Sequence, residues 1–232
     1  MTESFRDRIV VVTGGTGALG RAVVERLLAG GASPLVTYRS ERELGESPFA
    51  GAVKTRRVDA GDDAAVRELY RDAGPVWASV HLVGAFTMAP VTDTSAADFR
   101  KMFDVNAMTC FLCCREAVRA MRSGAGEKGG RIVNVAARPA VVPTGGMIAY
   151  SASKAAVASV TQSLAEEMKG EGILVNAVLP SVMDTVANRA AMPGADYSKW
   201  PKVEEVAEAI AFLASPANTL TSGALVPVYG RA

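Results

Sequence analysis

Arg8-Ile9-Val10-Val11-Val12-Thr13-Gly14-Gly15-Thr16-Gly17-Ala18-Leu19-Gly20 is a β-branched apolar run, a glycine-rich turn and the opening of a helical segment, Arg21 to Ala29. A strand feeding a helix through such a turn lets backbone N–H groups approach a pyrophosphate at the positive end of the helix dipole. Working outward, apolar strand-like runs fall near residues 7–12, 33–38, 54–58, 77–82, 130–135, 172–178 and 224–228. Helical segments fill most gaps, near 18–30, 62–72, 95–122, 148–169 and 203–214. Strands alternating with helices, with no repeat or linker, predict an α/β chain: a single-domain, Rossmann-type doubly wound sheet of about seven mostly parallel strands with helices on both faces. The glycine-rich stretch from Ser123 to Gly130 reads as the loosest turn and is too short to divide domains, so residues 1–232 are expected to form one dinucleotide-binding catalytic domain.

Composition supports that reading. A chain of 232 residues is ample for one sizeable core. Its 49% hydrophobic content and formal charge of +1 carry no signature of nucleic-acid binding, acidic partners or disorder. No apolar stretch reaches the roughly 18 residues that suggest a membrane span. The polar start, Met1 to Arg8, runs straight into the first strand and does not read as a signal peptide, so a cytoplasmic protein with no membrane partner is expected. Cys110, Cys113 and Cys114 stand at helical spacing, with His81 the one histidine of the chain. A metal centre would need a fourth donor and a more open turn, so the cysteines read as small buried thiols and no metal is expected.

Tyr150 and Lys154 lie four residues apart in Ala149-Tyr150-Ser151-Ala152-Ser153-Lys154-Ala155-Ala156, a helix-favouring stretch that sets both side chains on one face. A phenol near its ordinary pKa of roughly 10 is a poor acid or base at neutrality unless a neighbouring cation stabilises its anion. Lys154 offers that charge, and the pair reads as a general acid/base unit. A solvated Tyr/Lys pair would show the same spacing.

Together these motifs resemble the short-chain dehydrogenase/reductase family, in order and over essentially the whole chain. The family's Thr-Gly-x-x-x-Gly-x-Gly turn corresponds to Thr13–Gly20, with Ala18 replacing the middle glycine. Its helix asparagine corresponds to Asn106, its Tyr-x-x-x-Lys to Tyr150 and Lys154, and its Asn-x-x-x-Pro-Gly-x-x-x-Thr segment to Asn176 through Thr185, with Ser181 for glycine. The resemblance implies hydride transfer with Tyr150 as proton donor, Lys154 lowering its pKa and contacting the nicotinamide ribose, and Asn106 kinking its helix and holding a water. It implies cofactor contacts at Gly14, Thr16, Gly17, Ala18, Leu19, Gly20, Asp59, Ala60, Val83, Gly84, Pro180, Val182 and Thr185. Asp59 would accept from the adenine amino group; a helix cap before Asp62-Asp63 explains it equally.

Cofactor choice is read at the end of the second strand, where a carboxylate would accept from the ribose hydroxyls and an arginine would pair with a 2′-phosphate. Tyr38 takes the carboxylate's position, followed by Arg39 and Ser40, which predicts preference for NADP(H), with NAD(H) possible. Arg39 stacked on adenine or solvated in a loop is the alternative.

Two departures bear on the chemistry. Ala137 stands where the family usually places a carbonyl-polarising serine, and His81-Leu82-Val83-Gly84 replaces its Asn-Asn-Ala-Gly. One branch of the family, the dihydropteridine reductases, shares alanine at the serine position and a basic neighbour, here Arg138, and the chain is similar to it from Pro180 to Trp200. The resemblance points to a small activated C=N, quinonoid or C=O substrate, with a substrate loop over about 182–202. Ala137, Arg138, Met147, Met183, Met192 and Trp200 are its candidate contacts, although loop packing explains the methionines and tryptophan nearly as well. Loss of the serine leaves an alternative open: a non-catalytic NADP-binding sensor or structural subunit. The family pairs its long helices across subunits, so a homodimer or homotetramer is implied, with the apolar run from Met108 to Met121 as the surface.

Overall fold

The computed structural model describes residues 5–123 and 129–231. Seven strands form one sheet: β1 (Ile9–Thr13), β2 (Ser33–Tyr38), β3 (Lys54–Arg57), β4 (Val76–His81), β5 (Gly130–Val135), β6 (Ile173–Pro180) and β7 (Leu225–Val228). Their order is β3-β2-β1-β4-β5-β6-β7, and every pairing is parallel. The chain leaves β3 at one edge and returns to pair β4 with β1, creating the switch point at which such sheets bind ligands beyond their strand ends. Val10, Val11 and Val12 are fully buried, as expected of a central strand covered on both faces.

The helices are α1 (Ala18–Ala29), α2 (Glu41–Gly45), α3 (Asp63–Ala73), α4 (Ala96–Met102), α5 (Thr109–Ser123), α6 (Ile148–Glu167), α7 (Val186–Ala191) and α8 (Val203–Ala214). One core layer joins α1 and α8 to the sheet through residues such as Val23, Leu27, Val206 and Ile210. The opposite layer joins α3, α5 and α6 through Leu69, Cys113, Ala117, Val157 and Ala165.

The single helix expected over 95–122 is interrupted by a π-helical turn, Phe103–Met108. Ser95 caps its start in a reciprocal pairing with Asp98, but nothing in the local propensities marks the wider turn; tertiary bonds made by Asn106 hold it. Two short helices escaped the sequence reading, α2 behind its Ser40 cap and α7 behind Thr185, because five or six residues carry too little periodicity. The glycine-rich turn at 123–130 lies mostly outside the described residues. No helix among those described is long and apolar enough to cross a membrane.

Candidate active site

The turn after β1 is shaped for something other than side chains. A Cβ on Gly20 would stand 2.5 Å from the Gly14 carbonyl oxygen and 2.6 Å from Gly15 backbone atoms, so α1 can approach the turn this closely only with glycine there. Gly14 N donates to Thr37 Oγ1 at 3.1 Å, fastening the turn to β2. The helix N-cap is Gly17, which offers no capping side chain, and the first turn of α1 holds no acidic residue. The first N–H groups of α1 therefore remain for an anion.

In front of this turn lies a cavity of about 760 Å³. Its walls include Gly14, Thr16, Gly17, Tyr38, Arg39, Asp59, Ala60, Val83 and Gly84 from the sequence-derived set. The residues fit a dinucleotide: a bare helix start for the pyrophosphate and a long slot running along the strand ends. Leu19 is buried in the core layer under α1, leaving its backbone at the helix start. Ser40 is the N-cap of α2, accepting from Glu43 N at 3.4 Å. Asp59 accepts from Gly61 N at 3.0 Å on the cavity wall, and the helix cap is Asp62, which accepts from Ala64 and Ala65 N; the cap alternative for Asp59 is thereby corrected.

Charge in the cavity is mixed. Arg39, Arg100 and Lys101 face Glu43, Asp59 and Asp104. Tyr38 Oη donates to Glu41 Oε1 at 3.1 Å, and that carboxylate raises the phenol's pKa. Glu43 accepts from Thr16 Oγ1 at 3.3 Å. Sequence reasoning passed over Glu43, Arg100 and Lys101; helical spacing opposite the glycine turn was the available signal for the last two, whereas Glu43 rides on the unforeseen α2.

Beyond the cavity the chemistry gathers around Gly84. A Cβ there would lie 2.7 Å from Asn106 Oδ1 and 3.2 Å from Lys154 Nζ. This explains why glycine persists in His81-Leu82-Val83-Gly84 when its neighbours depart from the family. Asn106 accepts from Ala85 N at 3.0 Å and donates to Ala85 O at 3.1 Å and to Ser153 Oγ at 3.0 Å. Ser153 Oγ in turn donates to Tyr150 O at 2.8 Å, linking the π turn to the helix that bears the acid. Gly84→Ala is expected to lower stability by about 1–3 kcal/mol through overpacking against two held side chains, and to lower kcat by more than its effect on dinucleotide binding. Thermal melts with steady-state kinetics check this; unchanged values for both would contradict the packing.

Lys154 is buried and donates to Val135 O at 2.8 Å; burial pulls its pKa down from 10.5 to about 8. Tyr150 is half-buried on α6, its ring edge-to-face with Phe86 at 5.0 Å. Burial pushes its pKa up to about 12, with no lowering by Lys154, which corrects the expectation that the ammonium already depresses the phenol. The lysine's hydrogen bond goes to a backbone carbonyl of β5. A tyrosine in this state stays protonated through neutral pH and is poised as a donor.

The substrate-side residues spread further. Ala137 is buried in extended backbone at the end of β5, so a methyl group occupies the serine position. Arg138 is half-buried with its guanidinium 5.4 Å over the Tyr229 ring. Met147 is the residue before α6, half-buried, and Met192 is 37% exposed at the end of α7. Met183 packs on the core layer of α1 and α8. Trp200 rests on Tyr197, ring centroids 4.9 Å apart, and lines a separate cavity with Asp184 and Arg189. Asp184 and Arg189 pair at 2.6 and 2.8 Å, and Tyr197 Oη donates to Met192 O at 3.0 Å, so the 182–202 loop is cross-tied within itself. Pro180 ends β6, Val182 is exposed, and Thr185 caps α7 by accepting from Asn188 N at 3.1 Å. Ser181, in the family's glycine position, donates to Tyr229 O at 2.7 Å.

A protonated phenol beside a slot that fits a dinucleotide is the equipment of an oxidoreductase. The chain belongs to the short-chain dehydrogenase/reductase family: the family model described as short chain dehydrogenase matches residues 8–195. Galactitol 2-dehydrogenase of Rhizobium johnstonii is 36% identical over 94% of this chain and 92% of its own. Cis-4-hydroxycyclohexanecarboxylate dehydrogenase of Sinomonas cyclohexanicum is 34% identical over 99% and 98%. A short-chain dehydrogenase/reductase from Serratia marcescens has a solved structure that superposes with a TM-score of 0.88 at 30% identity, covering 98% of this chain and 99% of that one. The family binds nicotinamide cofactors, and the protein is an oxidoreductase of this type.

Proposed function

We propose that this protein is an NADPH-dependent reductase of small acceptors that are already electron-poor, such as a conjugated imine or quinonoid ring. The observation that carries the reading is the combination at one site of a protonated Tyr150 and a buried methyl at Ala137. A bound nicotinamide dinucleotide supplies the hydride. Tyr150 Oη gives its proton to the heteroatom as that atom gains electron density, and Lys154 stabilises the phenolate left behind. Asn106 holds Gly84, Ala85 and α6 in register around them. Loss of one donor to a developing oxyanion costs about 2.7–4 kcal/mol, or 10²–10³ in rate, a penalty that falls on plain ketones and far less on an activated acceptor. The likeness of the Pro180–Trp200 segment to the dihydropteridine reductases supports the same substrate class.

Turnover itself is the test that separates a reductase from a dinucleotide-binding sensor. NADPH oxidation in the presence of quinonoid pterins, quinones, imines and ketones is expected with at least one acceptor. Saturable NADPH binding without oxidation by any of them would place the protein with the sensors.

NADPH preference is supported by Tyr38 in the carboxylate's place and by Arg39 exposed on the cavity wall, while Glu41 is engaged by Tyr38 and Glu43 by Thr16. Arg39→Ala is expected to raise the KM for NADPH about tenfold or more, as loss of hydrogen bonds to a charged group implies, with little change for NADH. Equal effects on both cofactors would remove the 2′-phosphate role.

The rate should also carry an alkaline limb set by Lys154. Its pKa of about 8 means the ammonium is present at neutral pH and lost above that value. kcat/KM for reduction is therefore expected to be level near pH 7 and to fall about tenfold per unit well above pH 8. A profile level to pH 10 would separate the rate from this lysine.

Self-association is proposed through the face of α4, the π turn and α5. Phe99, Met108 and Phe111 are exposed there, whereas Leu112, Val118 and the cysteines of the same run are buried in the protein's own core.

A further inference from the structure

The residue that breaks the family's pattern after β4, His81, has a place of its own. It is buried at the end of β4, facing α5, where the fold brings it to Cys110 and Cys114. Cys114 Sγ is 3.6 Å from His81 Nδ1 and 4.0 Å from Cys110 Sγ, and the two sulfurs and one ring nitrogen of His81 all lie within 4.8 Å of one another. A triangle with edges of this size has its centre about 2.5 Å or less from each corner, against zinc bond lengths of about 2.3 Å to sulfur and 2.0–2.1 Å to nitrogen. A fourth donor is also at hand: Asn134 Oδ1 lies 2.7 Å from His81 Nδ1 and 3.4 Å from Cys114 Sγ. We propose that His81, Cys110 and Cys114, with Asn134 Oδ1 alongside, form a buried binding site for a thiophilic divalent cation, Zn²⁺.

The surroundings suit such an ion. Metal-bound histidines usually donate their other ring N–H to an oxygen that fixes the tautomer. His81 Nε2 is 2.8 Å from Ser79 Oγ and 3.2 Å from Tyr70 Oη, and these two hydroxyls are 2.6 Å apart. Without metal, Nδ1–H donates to Asn134 Oδ1 and Nε2 accepts. With metal, the ring proton moves to Nε2 and donates to Ser79 or Tyr70, freeing the Nδ1 lone pair. Asn134 is oriented by its Nδ2, which donates to Thr161 Oγ1 at 2.9 Å. Two thiol protons leave as Zn²⁺ enters, so two thiolates, a neutral imidazole and Zn²⁺ sum to zero charge. A buried site tolerates that sum, whereas a monovalent ion on the same thiolates would leave a net negative charge there. Cys113, the neighbour of Cys114 in sequence, is not part of this cluster. The ion would clamp α5 to β4 behind the lysine of the active site.

In sequence the helically spaced cysteines lacked a fourth donor and an open turn, and a histidine 29 positions upstream of Cys110 adds no recognisable ligand pattern. Only the pairing of β4 with β5 under α5 supplies the two missing donors.

The test uses the full-length protein. Zinc content after purification without chelators is measured by mass spectrometry, and Co²⁺ is titrated into chelator-treated protein. One equivalent per chain is expected, with a sulfur-to-cobalt charge-transfer band and intense tetrahedral d–d bands. Cys114→Ala and Cys110→Ala should each weaken Co²⁺ binding by more than the roughly 10–100-fold cost of losing a group that merely orients a ligand. Cys113→Ala should keep the bands. Absence of both zinc and any charge-transfer band in the unsubstituted protein would overturn the site, as would bands that survive Cys114→Ala or vanish with Cys113→Ala in a protein of native circular dichroism.

Discussion

Tyr150→Phe is expected to lower kcat about 10²–10⁴-fold, the span that positioned proton donors contribute. The change removes one oxygen and keeps the ring, so the edge-to-face contact with Phe86 at 5.0 Å and the packing of α6 persist. Dinucleotide affinity should shift little, because the slot that fits the cofactor is built from the β1, β2 and β4 strand ends. The drop should be visible in single turnover as well as in kcat, since the proton is needed at the chemical step. A Tyr150→Phe protein with undiminished rate would mean that the proton comes from solvent or another group, and the role assigned to the phenol would fall.

Ala137→Ser is expected to act in the opposite direction and selectively. A serine restores a hydroxyl at the end of β5, where the methyl is now 5% exposed. For a plain ketone the gain should approach 10²–10³ in kcat/KM, the worth of one donor to a developing oxyanion. For a quinonoid or iminium acceptor the rate should change little, because its electrophilicity is intrinsic. A stability cost of about 1–3 kcal/mol is expected in the ligand-free protein if the new hydroxyl finds no partner. Equal gains for both substrate classes would show that Ala137 says nothing about the natural acceptor.

Much of the architecture was legible because the physics that sets it is local. The Val10–Val12 run, the glycine turn and the alternation of strand and helix define a doubly wound sheet, and β5 and α8 fall where the periodicity puts them. What escaped depends on contacts distant in sequence. The π turn at Phe103–Met108 exists because Asn106 bonds the Ala85 backbone and Ser153, and its composition is that of an ordinary helix. Asp59 and Asp62 are indistinguishable as caps in sequence, and backbone geometry chose Asp62. Within the site, the spacing of Tyr150 and Lys154 was readable, but the lysine's bond to Val135 O and the burial that raises the phenol's pKa were not. Phe86, Ser153 and Glu43 carry no motif and are found by proximity alone. His81 stood out in sequence only as a departure from the family's Asn-Asn-Ala-Gly, and in the fold it is the centre of a buried polar cluster.

In the proposed mechanism Tyr150 works without a second hydroxyl donor at Ala137 and so serves acceptors that are activated in themselves. Its most direct test is the ratio of kcat/KM, with NADPH, for a quinonoid dihydropterin and for a saturated cyclic ketone of similar size on the unsubstituted protein. A ratio of about 10² or more in favour of the quinonoid acceptor is expected. A ketone reduced as well as the quinonoid ring, or better, would contradict it.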